Sequence, residues 1–166
     1  MQDDFVMFEE DERFSKAHPL TAKIKDTDIF LHGTSSKNYA AIQITGLLKR
    51  STYVKNYSLS QAGTICFEKY DRKLPMDDIT SNHCWAACET DGCTQGVILK
   101  ISGKNLRKLH CPIYADWNYG YGREYDSEGL PVDIDYDTVS SIVILDCDIP
   151  IKYLKAVRKV PVNTEE

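Results

Sequence analysis

The sequence predicts an α+β domain on a mixed or antiparallel β core with few helices. Apolar runs of strand length recur along the 166 residues, one segment alone has a well-marked helix start and stop, and no internal repeat is present. Hydrophobic residues make up 42% and charged residues 27%, ordinary values for a globular chain long enough to bury its own core.

The first strand is read from Asp28-Ile-Phe-Leu-His32, an apolar run meeting a turn at Gly33. Ser35 or Ser36 can cap a helix through Tyr39, Ala40, Ile42 and Gln43, and Gly46 stands where a glycine would stop it. Leu47 and Leu48 return the chain to the core. Asn56-Tyr-Ser-Leu-Ser60 alternates as a short strand does, and the segment from Ala62 to Tyr70 reads equally as helix or strand. From Asp71 to Gly92 the composition predicts a loop-rich insertion with a short helix around Cys84 to Cys88. Gly96-Val-Ile-Leu-Lys-Ile-Ser102 is the clearest strand, followed by a turn and half-helix over Gly103 to Lys108. Tyr114, Trp117, Tyr119 and Tyr121, set among glycines, predict an aromatic loop. Ile142 to Leu145 is a strand, Pro150 to Leu154 a turn or 3₁₀ piece, and Ala156 to Val160 the last strand.

Charge is uneven. Asp3, Asp4, Glu9, Glu10, Asp11 and Glu12 crowd the start, so residues 1–26 are expected as an acidic peripheral arm, 27–160 as the domain and 161–166 as a tail. A net charge of −5 lacks the electrostatic footprint of a nucleic-acid backbone binder. No apolar run approaches the roughly 18–20 residues of a membrane span. The first residues lack the basic and apolar regions of a secretory signal. The expectation is a monomer acting in a cytoplasm, its own or that of another cell into which it is delivered.

The six cysteines are expected as reduced thiols without metal. Cys66 and Cys147 sit in apolar stretches and read as small buried hydrophobes. His83-Cys84-x-x-x-Cys88-x-x-x-x-Cys93 lacks the paired spacing of common zinc modules.

The chemistry-bearing unit is strand, His32, Gly33, Thr34, Ser35, helix. Glycine lets backbone approach a planar ligand, backbone groups at a strand end can grip an amide at two points, and a histidine beside them can hydrogen-bond a ribose hydroxyl. In order along the chain stand Leu31-His32-Gly33-Thr34-Ser35, Ile42-x-x-x-Gly46-Leu47, Tyr57-Ser58-Leu59-Ser60 and Val97-Ile98-Leu99-Lys100-Ile101. This series resembles the ADP-ribosyltransferase superfamily, in particular the branch with a His-Tyr-Glu signature that contains diphtheria-toxin-type and poly-ADP-ribose polymerase-like enzymes. The resemblance implies a split, twisted β core with NAD, the co-substrate, in the cleft between two half-sheets. His32 would hold the adenosine-side ribose, and Gly33, flanked by Thr34, would bind the nicotinamide carboxamide. Tyr57, Phe67 or Tyr70 would supply the ring that stacks on nicotinamide, with Ser60 as support.

The implied reaction cleaves the N-glycosidic bond of NAD through an oxocarbenium-like transition state, which a carboxylate at the ribose 2′-hydroxyl stabilises. The family places a glutamate at the head of a late strand, but here Ser140 and Ser141 precede Ile142. The catalytic candidates, besides Tyr57, are therefore Glu128, just ahead of the strand-like Leu130-Pro-Val-Asp-Ile run, and Glu124 upstream of it. The reading that results is transfer of ADP-ribose to a macromolecular acceptor, a protein before a nucleic acid. Two alternatives stand beside it. Val143 to Leu154 resembles the closing segment of RNA 2′-phosphotransferases, although Arg50, Arg72, Arg107 and Arg123 are few for an RNA phosphate. The other is a noncatalytic interaction module of the same fold, using the aromatic loop.

Overall fold

Phe30 and Leu31 are both fully buried, yet as neighbours on one strand they point to opposite faces, so this strand must lie between two packed layers. It is β1, Ile29–Ser35. The computed structural model describes residues 20–50, 64–70, 76–115, 127, 141–145 and 147–162, with backbone alone at 64, 76–82, 115 and 145. After β1 come α1 (Ser36–Thr45), β2 (Leu47–Leu48), β3 (Thr64–Lys69), α2 (Met76–Asp91) and β4 (Gln95–Ser102). The chain continues with α3 (Gly103–Lys108), β5 (Ile113–Ala115), β6 (Ser141–Leu145), β7 (Ile149–Pro150) and β8 (Lys155–Pro161), with 3₁₀ turns at Thr21–Lys23 and Ile151–Tyr153. The class is α+β. Six strands form one antiparallel sheet in the order β5-β6-β3-β1-β4-β8, and β2 pairs with β7 apart from it.

One face of the sheet carries the main core, in which Phe30, Phe67, Leu99, Ile101, Ile142 and Ile144 meet Ile42 of α1 and Leu106 of α3. Each such side chain contributes about 1.5–3 kcal/mol on burial. The other face is smaller: Leu31, Ile98 and Val160 pack with Cys84 of α2. The helix lies close there because Gly96 has no side chain; a Cβ at that position would stand 2.7 Å from Cys84 Cβ. At α1 both ends follow the predicted chemistry. Ser35 Oγ accepts from Asn38 N at 3.0 Å, and Gly46, with φ 76°, sends its N–H to Ile42 O.

Several expectations need correction. First, β1 does not turn at Gly33, because Gly33, Thr34 and Ser35 continue the ladder opposite Ile98, Val97 and Gly96. Second, the expected loop-rich insertion contains a 16-residue helix, and the ambiguous segment before it is strand β3. Third, the arm boundary at residue 26 falls too late. Leu20 and Ile24 are buried in the main core, and Leu20 N donates to Ile113 O at 2.7 Å. Fourth, Cys111 and Cys147 are joined in a disulfide, leaving Cys66, Cys84, Cys88 and Cys93 as thiols. Val162, assigned to the tail, also packs on the smaller core. The expected strand at 56–60 and the aromatic loop past Ala115 lie outside the described residues. Among the described residues, no helix is long and apolar enough to cross a membrane.

Candidate functional site

The sheet forks between β1 and β3. β1 pairs with β4 from Ile29–Ser102 to Ser35–Gly96, and β3 pairs with β6 from Thr64–Leu145 to Glu68–Ser141. Between β1 and β3 the ladder holds Phe30–Lys69 and Leu31–Glu68, and beyond these no pair joins the two strands among the described residues. Tyr70 N donates to Ile29 O, while Gly103 N donates to Asp28 O on the β4 side. Backbone polar groups alternate along a strand, so Gly33, four residues after Ile29, turns its N–H and C=O toward β3 and into the fork. Cys66 turns its carbonyl into the fork from the opposite side.

That carbonyl is taken by a side chain. His32 Nδ1 lies 2.7 Å from Cys66 O. A carbonyl can only accept, so Nδ1 carries the proton. The His32 ring sits 5.3 Å from the Phe67 ring, tilted by 51°, and burial holds its pKa below the ordinary 6.5, against the opposing pull of the Cys66 bond. His32 is therefore neutral at pH 7, and Nε2 is an acceptor. The folded state resists protonating this ring while the unfolded chain does not, so the stability linked to His32 is complete above pH 6.5 and is lost as pH falls through its lowered folded value. Thermal melts from pH 7.5 to 5 should show wild type losing more Tm than His32→Gln, which keeps a donor for Cys66 but does not titrate. Parallel curves would contradict the assignment.

Around the fork the structure gathers some predicted residues and separates others. Thr34 is buried, and its Oγ1 accepts from Asn38 Nδ2 at 2.7 Å. Phe67 is fully buried on the same face as His32, which makes it the floor of this corner. Tyr70 is not brought to them. It follows the paired end of β3 and packs on the α2 face with Leu31 and Cys84. Tyr57, Ser60, Glu124 and Glu128 lie outside the described residues.

Three pairings were missed by sequence reasoning. Ser35 Oγ donates to Asp91 Oδ2 at the end of α2, tying β1, α1 and α2 together at the open end of the fork. At the closed end, Ser141 Oγ donates to Glu68 Oε2 at 2.9 Å, and His83 Nε2 of α2 stands 3.4 Å from Glu68 Oε1. His83 and Asp91 both belong to α2, so this one helix reaches both ends of the fork. Only a folded register could reveal these pairs, since Glu68 and Ser141 are 73 residues apart. A separate cavity of about 580 Å³ lies between Thr21, Ala22 and α3, where Arg107 is paired with Asp26 at 2.9 Å. None of its lining residues belongs to β1 or β3.

Comparison with protein-family models, with curated proteins and with solved structures finds no match for this chain.

Proposed function

We propose that the chain binds NAD across the fork and transfers its ADP-ribosyl group to a macromolecular acceptor, foremost a protein side chain, releasing nicotinamide. The fork supports an ADP-ribosyltransferase-like split core. The observation that carries the reading is the exchange of partners at Cys66. Its carbonyl bonds His32 rather than the neighbouring strand, and the Gly33 edge faces the opened gap. A nicotinamide carboxamide has one acceptor oxygen and an amide donor, the complement of the Gly33 N–H and C=O. Neutral His32 supplies at Nε2 the acceptor that a ribose hydroxyl needs, and Phe67 backs its ring.

Two measurements test this. Saturating NAD should raise Tm by mass action, by the equivalent of about 2.7 kcal/mol at a hundred times Kd. His32→Ala that still folds should lose most of that shift. Nicotinamide release, followed by chromatography, should accompany binding. No shift and no release at millimolar NAD would end the reading. A second reading is a module that holds NAD without cleaving it, favoured by the serine rather than an acid at the head of β6. It expects the Tm shift without nicotinamide release.

A further inference from the structure

The described residues place two carboxylates beside the fork, and they differ in kind. Asp91 is committed to architecture, because it receives the hydroxyl of Ser35, whose oxygen in turn caps α1. Glu68 sits at the last β1–β3 pair, opposite Leu31, on the strand that lines the gap. Its side chain is 14% exposed, so it is largely withdrawn from solvent yet still reachable. Two different elements aim it: Ser141 from the head of β6 and His83 from α2.

We propose that Glu68 is the carboxylate that stabilises the ribosyl cation in the reaction proposed above, in place of Glu124 or Glu128, with Ser141 and His83 as positioning residues. The inference rests on that reading of the reaction. The C1′–N bond of NAD breaks, and its electron pair goes to the pyridinium nitrogen, which leaves as neutral nicotinamide. With water as the simplest acceptor, a new C1′–O bond forms and one proton is released to solvent. Between these events C1′ and the ring oxygen share a positive charge. A carboxylate that accepts from the ribose 2′-hydroxyl stabilises that charge only as it develops, which is what lowers a barrier rather than merely tightening binding.

The fork presents a different group on each side. Gly33 offers its edge in the plane of the fork. His32 lies on the core face with Phe67, while Glu68, the cross-strand partner of Leu31, lies on the α2 face with His83. Gly33 is two residues beyond Leu31, the cross-strand partner of Glu68, so the Gly33 edge and Glu68 are diagonal neighbours at the point where the ladder ends.

The test measures nicotinamide release, NAD Kd and Tm for the full chain and its Glu68→Gln, Glu68→Ala, Glu124→Gln and Glu128→Gln variants. Glu68→Gln should release nicotinamide at least about 100-fold more slowly, with Kd within about threefold of wild type. Glu124→Gln and Glu128→Gln report on the two carboxylates that the sequence offered for the same role. Formate should partly restore Glu68→Ala, a rescue that a purely structural role would not give. If Glu68→Gln does not fold, this rescue decides alone. Release by Glu68→Gln within threefold of wild type, or loss in Glu124→Gln or Glu128→Gln instead, overturns the assignment while leaving the reaction intact. Wild type that releases no nicotinamide overturns the reaction and the assignment together.

Discussion

Gly103→Ala is expected to lower stability by about 3 kcal/mol or more, at or beyond the upper end of the usual cost of overpacking. Gly103 opens α3, and a Cβ there would stand 2.0 Å from Lys25 O, 2.9 Å from Ile24 Cγ2 and 3.1 Å from Lys25 C. A side chain could rotate away from such a contact, but a backbone carbonyl cannot. The segment 24–28 would have to withdraw, which breaks the bond from Gly103 N to Asp28 O and pulls the 2%-exposed Ile24 from the core. For a chain of this size the loss corresponds to a fall in Tm of roughly 6–12 °C. Gly46→Ala is the comparison. Nothing lies within 4 Å of a Cβ there, and the cost is the left-handed φ of 76° alone, about 1 kcal/mol. Melting curves that place Gly103→Ala no lower than Gly46→Ala would refute the packing account.

How much was legible in the sequence depends on where the information lies. The strand–cap–helix–glycine unit from Ile29 to Gly46 is written in local chemistry, which narrows the cap to Ser35 or Ser36 and gives Gly46 its role as the stop; the fold selects Ser35. β4 was legible because a strand buried on both faces is a continuous apolar run. α2 was legible only as a short helix around Cys84 to Cys88; among its residues with described side chains, the buried ones are those two cysteines, one turn apart. Those two cysteines drew attention as metal ligands, whereas their i, i+4 spacing opposite Gly96 is a packing signal. The continuation of β1 past Gly33 was hidden for a related reason: His-Gly-Thr-Ser looks like a turn until Gly96, Val97 and Ile98 are set across from it. The site divides in the same way. His32 and Gly33 lie together in sequence and could be proposed together, but the Cys66 acceptor lies 34 residues from His32 and Ser141 lies 73 from Glu68, so these pairings arise only in the fold.

The disulfide carries the largest expected effect. Cys111 and Cys147 are 36 residues apart, with Cα atoms 6.3 Å from each other, and they bracket the chain between β5 and β6. Closing a loop of that length removes unfolded-chain entropy worth about 4 kcal/mol at 25 °C. Without the bond, the two ends are held by the pairs Ile113–Ile144, Tyr114–Val143 and Ala115–Ile142 at the edge of the sheet. Ile113, Ile142 and Ile144 remain buried in the main core, so reduction should weaken the edge without dissolving the fold at room temperature. The expected result is a fall in Tm of roughly 8–16 °C on adding reductant. A Cys111→Ser, Cys147→Ser double variant should melt where reduced wild type does and show no further response to reductant. Intact mass under non-reducing conditions reports whether the bond is present before each melt. If wild type carries the bond and its Tm does not move on reduction, the cross-link contributes nothing and the β5–β6 pairing holds that edge by itself.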